Sequence, residues 1–168
     1  MKYEHILFDL DGTLTKSDEG IINAIIYSLK KMGKAVPERS VLSKFIGPAL
    51  LESYQVFLGF TREETVEALV HYREYYGDKG LYENIPYEGI CDVLETLRKR
   101  GRKLYVATAK PEHFALQILN HFGLAKYFEY IAGTPVQETT ISKGEVIQKV
   151  LNRYPLLAEW KSINKRIP

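Results

Sequence analysis

The chain has 168 residues, 45% of them hydrophobic and 26% charged, with a formal net charge of +2 and one cysteine. This suits a soluble globular protein of one domain, or a small core carrying an insertion. The near-neutral balance argues against nucleic-acid and anionic-membrane partners, the lone Cys91 excludes an internal disulfide and fits a reducing compartment, and no apolar run is long enough to span a bilayer.

The first residues lack the basic and long apolar regions of a secretory leader, so the expected location is the cytoplasm. Ile6, Leu7 and Phe8 form a continuous apolar run of the kind that makes a buried parallel strand. Asp9 and Asp11 follow two residues apart, so continued extension puts both carboxylates on one side at the strand's carboxyl end, where open α/β sheets place their chemistry. Gly12 lets the backbone turn away. An Asp-Gly pair also marks hairpins, but no alternating strand follows this one.

Asp18 is the expected N-cap of a helix striped by Ile21, Ile22, Ile25, Ile26 and Leu29 and closed by Gly33. Pro37 is expected to start a second helix that ends at Gly47-Pro48. Leu50, Leu51, Tyr54, Phe57 and Leu58 continue at helical spacing to Gly59. Thr61 and Glu64 make a capping box for a helix bearing Val66, Leu69, Val70 and Tyr76. Residues 16–82 therefore read as helical throughout, with no strand signal.

Asn84 to Gly89 is rich in turn residues. Ile90, Val93, Leu94 and Leu97 mark a helix ended by Gly101, and Lys103–Thr108 is the second strand. Pro111 starts a helix carrying Phe114, Ala115, Ile118 and Leu119, closed by Gly123. A short third strand runs from Glu129 to Ala132. Ser142 and Glu145 make a capping box for a helix with Val146, Ile147, Val150 and Leu151. Strands alternating with helices imply an α/β fold with a parallel sheet and right-handed crossovers.

Asp9-Leu10-Asp11-Gly12-Thr13-Leu14-Thr15 resembles the first motif of the haloacid dehalogenase superfamily of phosphatases. Leu104-Tyr105-Val106-Ala107-Thr108 resembles the second motif and Lys143 the third. Their order and spacing are similar to the phosphoglycolate-phosphatase-like branch, over residues 2–151. The resemblance implies a Rossmannoid parallel-sheet core from residues 1–15 and 84–168, with an inserted helical cap over 16–83. It implies an enzyme in which Asp9 attacks phosphorus and forms an aspartyl-phosphate, while Asp11 is general acid and then general base. It places phosphate against Asp9, Leu10, Asp11, the Thr108 hydroxyl, the Ala109 amide and the Lys143 ammonium. It also implies a magnesium ion held by Asp9 and the backbone carbonyl of Asp11.

Several residues admit a plainer role. Thr108 is also an ordinary β-branched strand end, and Lys110 beside it is open between a site role and a solvated one. Lys143 opens a helix, where a cation opposes the dipole unless an anion answers it. Arg73 suits a substrate carboxylate or an exposed helix face. Tyr72, Tyr75 and Tyr76 read as packing residues. His5, His71, His113 and His121 show neither metal-ligand nor triad spacing.

The resemblance stops after the Lys143 helix. The family's later Gly-Asp-x-x-x-Asp motif is missing, with no aspartate after Asp92; Glu159 lacks the glycine and apolar strand that should precede it. The expectation is a C-terminally shortened member with an open edge beside the first strand and weaker magnesium binding than an intact relative. Leu156–Trp160 is the segment available to cover that edge, and Lys161, Lys165 and Arg166 make a solvated basic tail. The expected function is magnesium-dependent hydrolysis of a small phosphorylated metabolite, with 2-phosphoglycolate the named candidate, by a monomer or homodimer. Rival enzymes are a nucleotide or pyrophosphate phosphatase, a sugar-phosphate mutase and a phosphonate hydrolase. The rival from another class is an impaired phosphate- or partner-binding protein, and a third reading is a fragment that assembles through its open edge.

Overall fold

The computed structural model describes residues 3–135 and 142–154. Leu156–Trp160, Glu159 within it, and the basic residues Lys161, Lys165 and Arg166 lie outside the described residues. The expected parallel sheet is present. Strand β1 (His5–Phe8) pairs in parallel with β4 (Lys103–Pro111), which pairs in parallel with β5 (Tyr130–Thr134). The order β1-β4-β5 puts β4 in the centre and leaves β1 at an edge among the described residues.

Alternation along β4 separates two layers. Leu104 and Val106 face a large core that includes Leu94 of helix α5 (Ile90–Lys99) and Ala115, Ile118 and Leu119 of α6 (Glu112–His121). Tyr105 and Ala107 face the opposite layer, closed by Val146 and Val150 of α7 (Lys143–Arg153). Each fully buried aliphatic side chain contributes about 1.5–3 kcal/mol relative to exposure, so both sheet faces must be covered. That requirement explains the continuous apolar strands.

Between β1 and β4 lie α1 (Asp18–Lys31), α2 (Arg39–Leu42), α3 (Leu50–Leu58) and α4 (Arg62–Tyr75), followed by a π-turn at Tyr76–Gly80. Helix α1 packs on α4, burying Ile21, Ile22, Ile25 and Leu29. Beneath them, Ser28 and Tyr54 share a 2.6 Å hydrogen bond. No described helix is long and apolar enough to cross a membrane.

Two local signals are met in full. The Thr61–Glu64 and Ser142–Glu145 capping boxes are both formed. Other expectations shift. Ser17 occupies the N-cap of α1, without a side-chain cap bond, and Asp18 is the first helical residue, where its charge suits the dipole. Helix α2 begins at Arg39, two residues after Pro37. Val66 and Val70 are exposed, because α4 turns Thr65, Ala68, Leu69 and Tyr72 inward. Residues 16–82 are not helical throughout. Thr15–Lys16 (β2) pairs antiparallel with Ile85–Pro86 (β3), joining the points where the chain leaves and rejoins the sheet region. The second strand runs on to Pro111, and the third is displaced to Tyr130–Thr134.

One crossing fixes how α1 meets the π-turn. A Cβ added to Gly20 would lie 2.1 Å from the Gly80 carbonyl oxygen. The Gly20 N–H instead donates to the Glu83 carbonyl at 3.1 Å. Only glycine allows two backbones so close.

Candidate active site

At the end of β1 the chain turns sharply. The Leu10 carbonyl accepts the amides of Thr13, Leu14 and Thr15 at 3.2, 2.9 and 3.2 Å, and Gly12 takes φ +76°. These bonds close the turn without the Asp11 carboxylate. Asp9 Oδ1 accepts the Leu10 N–H at 2.8 Å, while Asp9 Oδ2 receives the Lys143 ammonium. Lys143 is brought across by the Ser142 capping box that starts α7. The Asp9–Lys143 pair is partly exposed, so it organises charge more than it stabilises the fold.

Asp11 lies deeper. Its Oδ2 is 3.1 Å from Lys110 Nζ, with side-chain exposures of 14% and 6%. Its Oδ1 is buried and has no partner among the described residues. At the end of β4, the Lys110 amide donates to Thr108 Oγ1 at 3.2 Å. The Thr134 hydroxyl donates to the Ala109 carbonyl at 3.2 Å, tying β5 to the same corner.

These groups surround a cavity of about 150 Å³. Asp9, Asp11, Thr108, Ala109 and Lys143 line one end, and Arg73 reaches it from α4. The remaining wall is largely apolar, including Phe45, Leu50, Leu51, Leu69 and Phe114. Among the expected substrate-binding residues, Leu10 does not line the cavity. Its side chain is fully buried in the core, and its amide is engaged by Asp9.

Lys110 and Tyr76 join the site without being among the residues that the motifs assign to it. Lys110 is buried rather than solvated, and its ammonium donates to the Tyr76 hydroxyl at 2.6 Å. The signal for Lys110 in the sequence is its place two residues after Thr108 at the strand end. Nothing in sequence links it to Tyr76. Burial raises the phenol pKa values of Tyr72 and Tyr76 well above the ordinary range; the Tyr76 carboxylate neighbour Asp11 adds to that shift. Both phenols therefore stay protonated.

The donor chemistry fits magnesium. Asp9 and Asp11, which offer hard carboxylate and carbonyl oxygens, line one cavity. Among the described residues no group of three His, Cys, Asp or Glu gathers around a metal position. Such a set suits an ion that is held by one or two carboxylates and keeps several waters.

A parallel α/β sheet that presents paired carboxylates, a threonine and a lysine at its strand ends defines an enzyme built around an anionic substrate. The chain matches the family profile of haloacid dehalogenase-like hydrolases over residues 6–161 and belongs to that family, as a hydrolase of the phosphatase type. It is 42% identical over 159 residues to a 5'-nucleotidase of Pseudomonas aeruginosa, covering 95% of this chain and 72% of that protein. It is 38% identical over 155 residues to the tyrosine-protein kinase PtkA of Mycobacterium tuberculosis, covering 92% of this chain but 52% of that one, about half its length. A phosphoglycolate phosphatase of Aquifex aeolicus is 36% identical over 160 residues, with coverages of 87% and 73%. A crystal structure of a predicted phosphatase from Clostridium acetobutylicum superposes with a TM-score of 0.86 at 42% identity, covering 91% of this chain and 71% of that one.

Proposed function

We propose that the chain hydrolyses the phosphate monoester of a small metabolite, with magnesium, through an aspartyl-phosphate on Asp9. The observation that carries this reading is the pair of carboxylates, Asp9 and Asp11, lining one cavity with a separate lysine on each. A carboxylate oxygen of Asp9 forms a bond to phosphorus as the ester P–O bond breaks. The leaving oxygen takes a proton from Asp11. Asp11, now a carboxylate, then takes a proton from water as that water attacks phosphorus. The acyl-phosphate bond breaks, Asp9 is regenerated and phosphate leaves.

The surrounding donors act on the phosphate oxygens. Thr108 Oγ1 accepts the Lys110 amide, which leaves its own proton to donate to phosphate. The Ala109 amide adds a second donor, and the Lys143 ammonium offsets charge that builds up on the phosphoryl group. Asp9 and the Asp11 backbone carbonyl would hold the magnesium, which supplies further charge neutralisation when bound.

Residues 16–83 act as a cap over a core that the remaining described residues form. Support comes from the cavity wall, since Phe45, Leu50, Leu51, Leu69 and Arg73 all belong to that helical segment. The core recognises phosphate and the cap recognises the leaving group. Arg73 favours a substrate with a second anionic group, and 2-phosphoglycolate is the first candidate. The apolar wall favours a bulkier leaving group, which keeps a nucleoside monophosphate as the second.

The test is phosphate release from an aryl phosphate with and without magnesium, followed by a panel holding both candidates. Magnesium-dependent turnover is the expected result. A folded protein that binds phosphate but releases none from any substrate would instead establish an impaired binding protein.

A further inference from the structure

We propose that Lys110 is a positioning residue that couples the seating of Tyr76 to the orientation of the Asp11 carboxylate. The proposal rests on the reading of Asp11 as the acid and base of the reaction. A buried ammonium is costly unless it is paired and hydrogen-bonded. Lys110 has two such partners from different parts of the fold. Asp11 Oδ2, in the loop after β1, is 3.1 Å from its nitrogen. The Tyr76 hydroxyl, at the end of the helical segment, is 2.6 Å away, and the Tyr76 ring centroid lies 4.4 Å from the same nitrogen.

The lysine side of this junction is fixed to the sheet. Its amide donates to Thr108. Its carbonyl oxygen lies so close to Gly133 that a Cβ there would come within 2.5 Å. The tyrosine side belongs to the helices. The Tyr76 ring stacks on Tyr72 with centroids 5.2 Å apart and meets the edge of Phe114 at 5.5 Å. It opens the π-turn, an irregularity that is frequent at functional positions. Gly80 closes the same turn, and a Cβ on it would stand 2.8 Å from Tyr76 Cδ2.

One ammonium therefore reads two positions. With Tyr76 seated, Lys110 holds Asp11 Oδ2 and so fixes the orientation of the carboxylate. When Tyr76 withdraws, Lys110 loses a partner and Asp11 loses its fixed orientation. Burial keeps the phenol protonated, so its oxygen accepts from the ammonium without adding charge.

The test compares wild type with Tyr76→Phe, which keeps the ring, and with Lys110→Met and Lys110→Arg. Two quantities are read: amide hydrogen exchange, and kcat and KM separately for an aryl phosphate with magnesium. The Leu81, Tyr82 and Glu83 amides bond back to Tyr76 and Lys79 and report seating of the turn. Losing a hydrogen bond to a charged group predicts about tenfold faster exchange there in Tyr76→Phe and Lys110→Met, with α6 unchanged. The same two variants should lower kcat about tenfold while KM stays within about twofold, and Lys110→Arg should recover part of kcat. Unchanged exchange at the turn overturns the proposal. So does exchange that rises uniformly across the chain, or a raised KM with kcat intact. If Lys110→Met does not fold, Tyr76→Phe decides. A wild type that releases no phosphate overturns the phosphatase reading alone, and the exchange measurement still decides the coupling.

Discussion

Replacing Gly20 with alanine tests the close crossing that sets the helices against the π-turn. The added methyl would lie 2.1 Å from the Gly80 oxygen, 2.9 Å from the Gly80 carbonyl carbon and 3.1 Å from the Glu83 oxygen. All three atoms are backbone, so no side-chain rotation relieves the overlap. Overpacking costs about 1–3 kcal/mol, and contacts this short belong at the upper end. Alanine in place of glycine within a helix returns about 1 kcal/mol. The net expectation is a loss of about 2 kcal/mol, or a urea midpoint lowered by about 1 M for a slope near 2 kcal/mol/M. Gly144→Ala is the control, because its nearest atom, Ser142 Oγ, is 3.6 Å away. It should be neutral or stabilising by up to about 1 kcal/mol. A Gly20→Ala protein as stable as wild type, with Gly144→Ala behaving as expected, would refute the crossing and with it the seating of Tyr76.

Two further outcomes follow from the same geometry. Lys143→Ala removes a partly exposed ion pair, so stability should change by less than about 1 kcal/mol, while kcat for an aryl phosphate should fall about 100-fold or more; a fall below about tenfold would remove Lys143 from the chemistry. Burial pushes the Tyr54 phenol from 10.0 up to about 12. The unfolded chain then releases that proton first, so its stabilising effect is complete below pH 10 and is lost as pH rises towards 12. Tyr54→Phe should therefore flatten the fall in urea midpoint over that interval. It should also cost about 1 kcal/mol at neutral pH, since Ser28 keeps its 2.8 Å bond to the Ile25 carbonyl; an equally steep alkaline fall in the variant would exclude this role.

What could be read from sequence depended on distance along the chain. The capping boxes and the Asp9–Asp11 pair are local patterns, and the strand–helix alternation follows from periodicity. The rotation of α4 is different. Val66 and Val70 look like core residues, yet α1 packs on the neighbouring face, and tertiary contact decides which side is buried. The β2–β3 ribbon has two residues in each strand, too few for an alternating pattern. Lys110 and Tyr76 lie 34 residues apart. A lysine after a strand and a tyrosine in a Tyr-rich helix carry no sign that they meet, because the π-turn and the Gly20–Gly80 crossing bring them together.

The most direct test of the account is to find the covalent phosphate. Wild-type protein turning over an aryl phosphate with magnesium should be acid-quenched and digested, and its peptides examined by mass spectrometry alongside Asp9→Asn. A phosphate adduct on the peptide carrying Asp9, absent from the folded Asp9→Asn protein together with turnover, is the predicted result. Continued phosphate release by Asp9→Asn, or an adduct mapped to another residue, would contradict it.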